Sequence, residues 1–236
     1  MSTSGRPPLD GIRVVDFSRV IAGPMCTQML ADMGAEVIKI ENPDGGDDTR
    51  KGAGPRVGGE AGESHFFMTF NRGKKSVALD FAKPEGQAVV HRLLASADVM
   101  VENFRPGVLK KYGLDYPSLQ AKYPKLIYLS ISAYGQTGPL SDRPGYDPVL
   151  QAESGMMSVN GEPEGEGLRH AIAIVDTMTA IHSTAAVNDG DGVAQPFALG
   201  LMPHSMHGAT PARASRSTSL STTPPSSAWA IWDPIT

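Results

Sequence analysis

The chain has 236 residues, 40% of them hydrophobic and 19% charged, which supplies a core and excludes wholesale disorder. Its 21 basic and 25 acidic residues leave a formal charge of −4, so bulk charge gives no reason to expect a nucleic-acid partner. A single cysteine, Cys26, excludes an internal disulfide framework. No apolar run reaches the ~18 residues of a membrane span, and Met1–Asp10 lacks the apolar core of a secretory signal; the expected class is a soluble, cytoplasmic globular protein.

Strands and helices alternate up to Val187. Gly11–Phe17 is a β-branched run suited to a buried strand. Gly23-Pro24 breaks it, and Met25–Met33 carries helical spacing with Gly34 as the stop. Glu36–Glu41 is a second strand, and a βαβ unit of this kind belongs to a parallel sheet. Ser76–Asp80 predicts a strand, and Pro84–Ser96 a helix opened by Pro84 with Glu85 in its first turn. Asp98–Glu102 is the next strand, followed by a short helix opened by Pro106. Leu126–Ser132 is another strand, and Ala171–Val175 a further apolar run leading into a helix from Asp176. Long polar loops, Asn42–Glu63 and Ala133–Asp147, suit ligand contacts more than simple connection.

Open parallel sheets bind ligands at the carboxyl ends of their strands. The segments at those ends include Ser18–Pro24, Glu41–Asn42, Asp80–Ala82, Asn103–Pro106, Ala133–Gly138 and Asp176. Glu41 sits where a ribose-binding acid lies in a dinucleotide fold, but G-x-G-x-x-G is missing from the first turn, which argues against a nicotinamide or flavin site. Asp176 is either an ordinary helix cap or a carboxylate nucleophile at a strand-to-helix turn. Asn103-Phe104-Arg105-Pro106-Gly107 is either a turn that starts a helix or a binding loop. Lys110 and Lys111 read as solvated helix charges, and His65, His91 and His182 lack partners at ligand spacing. His204-Ser-Met-His207 has the spacing of a metal pair, but two ligands in a low-complexity tract are a weak signal, and no metal is expected.

Several longer motifs occur together. They are PLDGIRVVDFSRVIAGPMCTQMLADMGAEVIKIE (Pro8–Glu41), NRGKKSVALD (Asn71–Asp80), DVMVENFRPGVLKKYGLDY (Asp98–Tyr116), ISAYGQTGP (Ile131–Pro139), RPGYD (Arg143–Asp147) and AIVDTMTAIHSTAAV (Ala173–Val187). In this order they resemble the class III CoA-transferases, the family of formyl-CoA transferase, carnitine CoA-transferase and α-methylacyl-CoA racemase. The resemblance implies a Rossmann-like parallel α/β sheet, the N-terminal part of the family's large domain over residues 1–187, incomplete without its C-terminal contribution. It implies CoA transfer from an acyl-CoA to a carboxylic acid, with CoA entering as part of the substrate and no further cofactor.

In that chemistry an aspartate attacks the thioester to give a mixed anhydride and CoA thiolate. The thiolate returns to form an aspartyl-CoA thioester, and an incoming carboxylate collects the CoA. Asp176 matches the nucleophile, and a helix N-terminus there is expected to lower its pKa and to supply oxyanion donors. For CoA, Ile21 and Ala22 match the loop after the first strand. Asn42 matches a position where formyl-CoA transferase has Arg. Leu79, Asp80, Asn103, Phe104, Arg105 and Lys111 match segments lining the CoA, and Arg143 and Tyr146 match the stretch near its pantetheine. The catalytic His of the family's racemases falls at Tyr146, which cannot take a proton near neutral pH as imidazole can, so transfer is favoured over racemisation. A non-catalytic CoA-binding fragment is the other alternative.

The family also forms interlocked homodimers and carries a second domain for which the sequence after Val187 has no counterpart. Residues 188–236 read as a disordered or out-of-frame tail, rich in Ser, Thr, Pro and Ala. If Arg216–Pro225 (RSTSLSTTPP) is read from each codon's last base, the triplets can encode Ile-Asp-Leu-Ala-Leu-Tyr-Asp-Thr-Ala, close to what the family carries after the nucleophile helix. The implied interlock and cover over the thioester are lost with those segments, so the chain alone is expected to turn over little.

Overall fold

The computed structural model describes residues 5–52, 54–162 and 164–188. The expectations for residues 189–236, the tail and the His204/His207 pair included, lie outside the described residues. The elements are β1 (Arg13–Asp16), α1 (Ala22–Asp32), β2 (Glu36–Glu41), β3 (Arg56–Val57), β4 (Glu63–Ser64), α2 (His65–Asn71), β5 (Lys74–Ala78), α3 (Pro84–Leu94), β6 (Val99–Glu102), α4 (Tyr116–Gln120), β7 (Ile127–Ser130), α5 (Asp147–Glu153) and α6 (Ile174–Asn188). Three short 3₁₀ turns, Asp48–Arg50, Leu109–Tyr112 and Met156–Val159, interrupt the loops.

Five strands form one parallel sheet in the order β5-β2-β1-β6-β7, and β3 and β4 pair as a separate two-stranded ribbon. The parallel α/β class expected from the sequence is therefore the class observed. Side-chain alternation divides the core into two layers. Val14, Val37, Val99, Val101 and Leu129 pack with Cys26 and Leu30 of α1 and Ala180 of α6. Val15, Ile38, Ile40 and Met100 pack with Val90 and Leu94 of α3 and Leu119 of α4. A sheet buried on both faces is built from such uninterrupted Val/Ile runs.

Pro84 opens α3, where its missing N–H costs nothing, and Glu85 complements the helix dipole. Gly34, at φ +102, lets the chain leave α1 in a conformation that side-chain-bearing residues avoid.

Several expectations shift. The strand expected at Ser76–Asp80 runs over Lys74–Ala78, because Lys74 is drawn into the sheet by a buried carboxylate described below. Pro106 opens a turn that leads to the 3₁₀ segment Leu109–Tyr112. Ala171–Val175 forms no strand; the chain enters α6 at Ile174, and that helix includes Asn188.

Candidate active site

The strand order reverses at β1, with β2 and β5 on one side and β6 and β7 on the other. The crevice beyond the carboxyl ends of β1 and β6 is the topological switch point where such sheets take ligands. Asn103 stitches its two walls together: its Oδ1 accepts the Arg19 N–H at 2.8 Å and its Nδ2 donates to the Arg19 carbonyl at 2.7 Å. The next residue, Val20, sits at φ 71. A β-branched side chain in the left-handed region is strained by about 1–2 kcal/mol, and such strain gathers at functional loops. Gly23 begins α1 against this loop, and a Cβ there would meet Ser18 Cβ at 2.2 Å.

A set of buried ion pairs lies beneath the loop. Asp16, at the end of β1, faces Lys74 Nζ at 3.0 Å and accepts from Thr27 Oγ1 at 2.6 Å. Burial pushes this carboxyl up, but Lys74, Lys39 and the Ser18 and Thr27 hydroxyls together hold it below its ordinary value. Lys39 Nζ pairs with Asp47 at 3.0 Å and donates to the Ser18 carbonyl at 2.7 Å. Glu41 gives both oxygens to Arg50, at 2.7 and 2.8 Å, and accepts from Ser76 and the Asp47 amide. Against the cost of burial these contacts bring its pKa to about 2. Glu41 thus pins the Gly45–Arg50 turn instead of presenting a free carboxylate for a ribose.

Asp176 departs from the sequence expectation in an informative way. It is the third residue of α6, not its cap. The capping group comes from α5: Asp147 Oδ2 accepts the Val175 N–H at 2.7 Å and the Asp176 N–H at 3.2 Å. Ile174 N donates to the Ile172 carbonyl and Thr177 N to that of Ala173. All four leading amides of α6 are therefore occupied, and none remains for an oxyanion. Gln151 holds Asp147 in turn, with Nε2 on Asp147 Oδ1 and Oε1 accepting the His170 N–H. The Asp176 pKa is raised, not lowered, to about 6, by burial first and the neighbouring Asp147 second. Desolvation and a like charge outweigh the helix dipole when no cation is near.

Two cavities meet at this point. One, of about 190 Å³, is lined by Ile21, Ala22, Asn103, Phe104, Arg105, Arg143, Tyr146 and Asp176. The other, of about 280 Å³, is lined by Asn42, Leu79, Asp80 and Phe104, with Phe81 and Tyr112 edge-on in its wall. Arg19 and Phe104 belong to both, and the Arg19 guanidinium lies 5.1 Å from the Phe104 ring centre. Of the residues singled out from sequence, Lys111 alone lines neither cavity; it is exposed on the Leu109–Tyr112 turn. Arg143 is paired with Glu153 at 2.7 Å, and Tyr146 is 71% exposed. Gly145 lets this loop pass closely: a Cβ there would meet Ala133 Cβ at 2.5 Å.

Sequence reasoning missed Arg19, Val20 and Asp147 as parts of the site. Asp147 before Pro148 was legible as the start of α5, but its hold on α6 spans 29 residues and leaves no local signature. Among the described residues no cluster of three or more His, Cys, Asp or Glu could hold a metal ion, and no helix is long and apolar enough to cross a membrane.

Comparison with known proteins agrees with this geometry. The model of CoA-transferase family III matches residues 9–189. A succinate–glutarate CoA-transferase of Agrobacterium fabrum is 51% identical over 185 residues, covering 77% of this chain and 46% of that protein. The succinyl-CoA:glutarate CoA-transferase of Homo sapiens is 44% identical over 183 residues, covering 78% and 41% respectively. Among solved structures, a CAIB/BAIF family protein from Brucella suis superposes with a TM-score of 0.74 at 46% identity, over 78% of this chain and 48% of that one. The chain spans about half the length of the curated relatives it matches.

Proposed function

The chain belongs to CoA-transferase family III, and from that premise we propose that it carries the acyl-CoA-binding half of a CoA-transferase whose nucleophile is Asp176. The observation that carries this reading is the Asp176 carboxyl itself. It opens on a cavity, has no cationic partner among the described residues, and titrates at about 6. At neutral pH it is ionised, yet more basic than an ordinary aspartate, which favours attack on a thioester carbon.

The bonds balance as follows. An Asp176 oxygen bonds to the acyl carbon, the C–S bond breaks, and CoA leaves as the thiolate. The thiolate then attacks the aspartyl carbonyl, releasing the donor acid as a carboxylate and leaving an aspartyl-CoA thioester. The acceptor carboxylate attacks that thioester, and the freed thiolate takes the new acyl group, restoring Asp176. No metal or redox partner enters.

The paired cavities support a bound CoA with its nucleotide end near Leu79, Asp80, Asn42 and the Phe81–Phe104–Tyr112 rings. Its thioester end then lies near Ile21, Ala22, Arg143, Tyr146 and Asp176. A basic Arg19 on the shared wall suits the phosphates between them. The names of the relatives favour a dicarboxylic pair, succinyl-CoA as donor and glutarate as acceptor. The interlocked homodimer belongs to the same reading. So does the out-of-frame origin of residues 188–236, which sequencing the coding DNA tests.

The direct experiment is mass spectrometry of the chain incubated with succinyl-CoA. A hydroxylamine-sensitive adduct is expected on the native chain and none on Asp176→Ala. An adduct that survives in Asp176→Ala would overturn the assignment, whether or not the chain completes turnovers.

A further inference from the structure

A third cavity, of about 450 Å³, opens beyond the carboxyl ends of β6 and β7, on the far side of Arg105 from Asp176. The last residue of β6, Glu102, lines it while remaining only 5% exposed. Its Oε2 accepts the Phe104 N–H at 2.8 Å. Ser130, its register partner on β7, hydrogen-bonds the same carboxyl, and Gln136 Nε2 donates to Ser130 Oγ at 2.7 Å. The donors run one way, from Gln136 to Ser130 to Glu102, with the Phe104 amide arriving from the other side. That polarity suits a carboxylate. A protonated Glu102 would instead bring its own O–H into a ring of donors, and the Ser130 hydroxyl would have to turn.

We propose that Glu102 is a positioning residue whose ionisation sets the geometry of the Asn103–Arg105 loop and, through it, the hold of the crevice on CoA. The loop is the part of the site most open to such control. Phe104 and Arg105 line the cavity that contains Asp176, and Asn103 fixes the β1 loop through both polar atoms of its side chain. A change at the Phe104 amide therefore reaches both walls of the crevice. Burial raises the Glu102 pKa to about 7, with Ser130 and the Phe104 amide pulling it back down, so both protonation states are populated near neutrality. The titratable groups around the cavity are Arg105 and Lys110, both exposed, the half-buried Asp115 and Tyr116, and the buried Tyr128. Among the described residues no cation lies within ion-pair distance of Glu102, so nothing holds it charged in the way Arg50 holds Glu41.

The link to CoA rests on the function proposed above; the response of the loop does not. The Phe104 amide proton is therefore followed by NMR from pH 5 to pH 9. It is expected to move downfield with a midpoint near pH 7 in the native chain and in Asp115→Asn, and to stay flat in Glu102→Gln. Ser130→Ala removes a donor to the carboxylate and is expected to raise the midpoint, which keeps the proposal testable should Glu102→Gln fold poorly. A flat native profile, or a midpoint that persists in Glu102→Gln, would overturn it. Calorimetric titration with CoA gives the second arm. A charge-assisted bond in place of a neutral one predicts about fivefold tighter binding at pH 8 than at pH 6 in the native chain relative to Glu102→Gln. Titration of the CoA phosphate is common to both and cancels. Equal pH dependence in the two would sever the link to CoA, whereas no CoA binding at any pH beside a titrating Phe104 amide would sink the transferase reading and leave the loop switch standing.

Discussion

Two groups of buried acids flank the same edge of the sheet and behave in opposite ways. On the β2/β5 side, Asp16 and Glu41 meet Lys74, Lys39 and Arg50, and their pKa values fall, Glu41 to about 2. On the β6/β7 side and at α6, Glu102 and Asp176 are buried without a cation, and their values rise to about 7 and about 6. Side-chain type and burial are alike in the two groups. Only the company differs: ammonium and guanidinium groups turn an acid into a fixed brace, and their lack leaves it able to gain or lose a proton near neutrality. The braced acids hold the backbone of the crevice, and the unbraced ones stand where chemistry and control are proposed.

The sharpest way to break this contrast is to remove a brace. Lys74→Met leaves Asp16 buried with only Lys39 and two hydroxyls nearby, and Lys74 and Asp16 are both almost wholly inaccessible to solvent. Stranding one member of such a pair costs about 3–5 kcal/mol. Urea denaturation is expected to show a loss of that size, largest above the range where Asp16 protonates. A loss below about 1 kcal/mol would mean that the pair contributes no more than a surface salt bridge.

Lys74 also shows how far the sequence carries. Buried strands such as Val14-Val15-Asp16 and Ile127–Ser130 are legible because β-branched and aromatic residues there face packed layers on both sides. The β5 strand reads two residues too late because a lysine inside a strand looks like a surface residue until the carboxylate opposite it is known. Ala171–Val175 has the composition of a strand but adds none to the sheet beyond β7, and α6 begins within it. Of the site, the loops at the strand ends are legible from topology alone. The family motifs give the remaining candidates, and all but Lys111 line the two cavities. The direction of the Asp176 pKa is not legible. It depends on Asp147 taking the amides that would otherwise have favoured the charged carboxylate, and that contact exists only in three dimensions.

Removing an unbraced acid should have the opposite sign and a smaller size. The Asp176 carboxyl ionises at about 6 in the fold against 3.8 for an ordinary aspartate, so the folded chain holds more protons than the unfolded one across that window. Stability therefore falls as pH rises from about 4 to about 6, and the full penalty persists above it. Asp176→Asn keeps the shape and removes the charge. Thermal unfolding is expected to place it level with the native chain at pH 4 and more stable by about 2 kcal/mol at pH 7.5. A variant that is less stable than the native chain at pH 7.5 would show that the carboxylate has a partner that stabilises it.

The smallest effect separates the two causes of that raised pKa. Asp147→Asn retains an oxygen able to accept the Val175 and Asp176 N–H groups, so the cap survives in weaker form, at a cost of about 1 kcal/mol. It removes the like charge and leaves the burial of Asp176 unaltered. The midpoint of Asp176, followed through its carboxyl carbon by NMR, should then fall below about 6 without reaching the ordinary aspartate value, because burial is the larger cause. The acid limb of succinyl adduct formation should move to lower pH with it. An unmoved midpoint would assign the whole shift to desolvation and reduce Asp147 to a cap. A return to 3.8 would make the neighbouring charge the sole cause, and the distinction between braced and unbraced acids would then rest on repulsion instead of on missing cations.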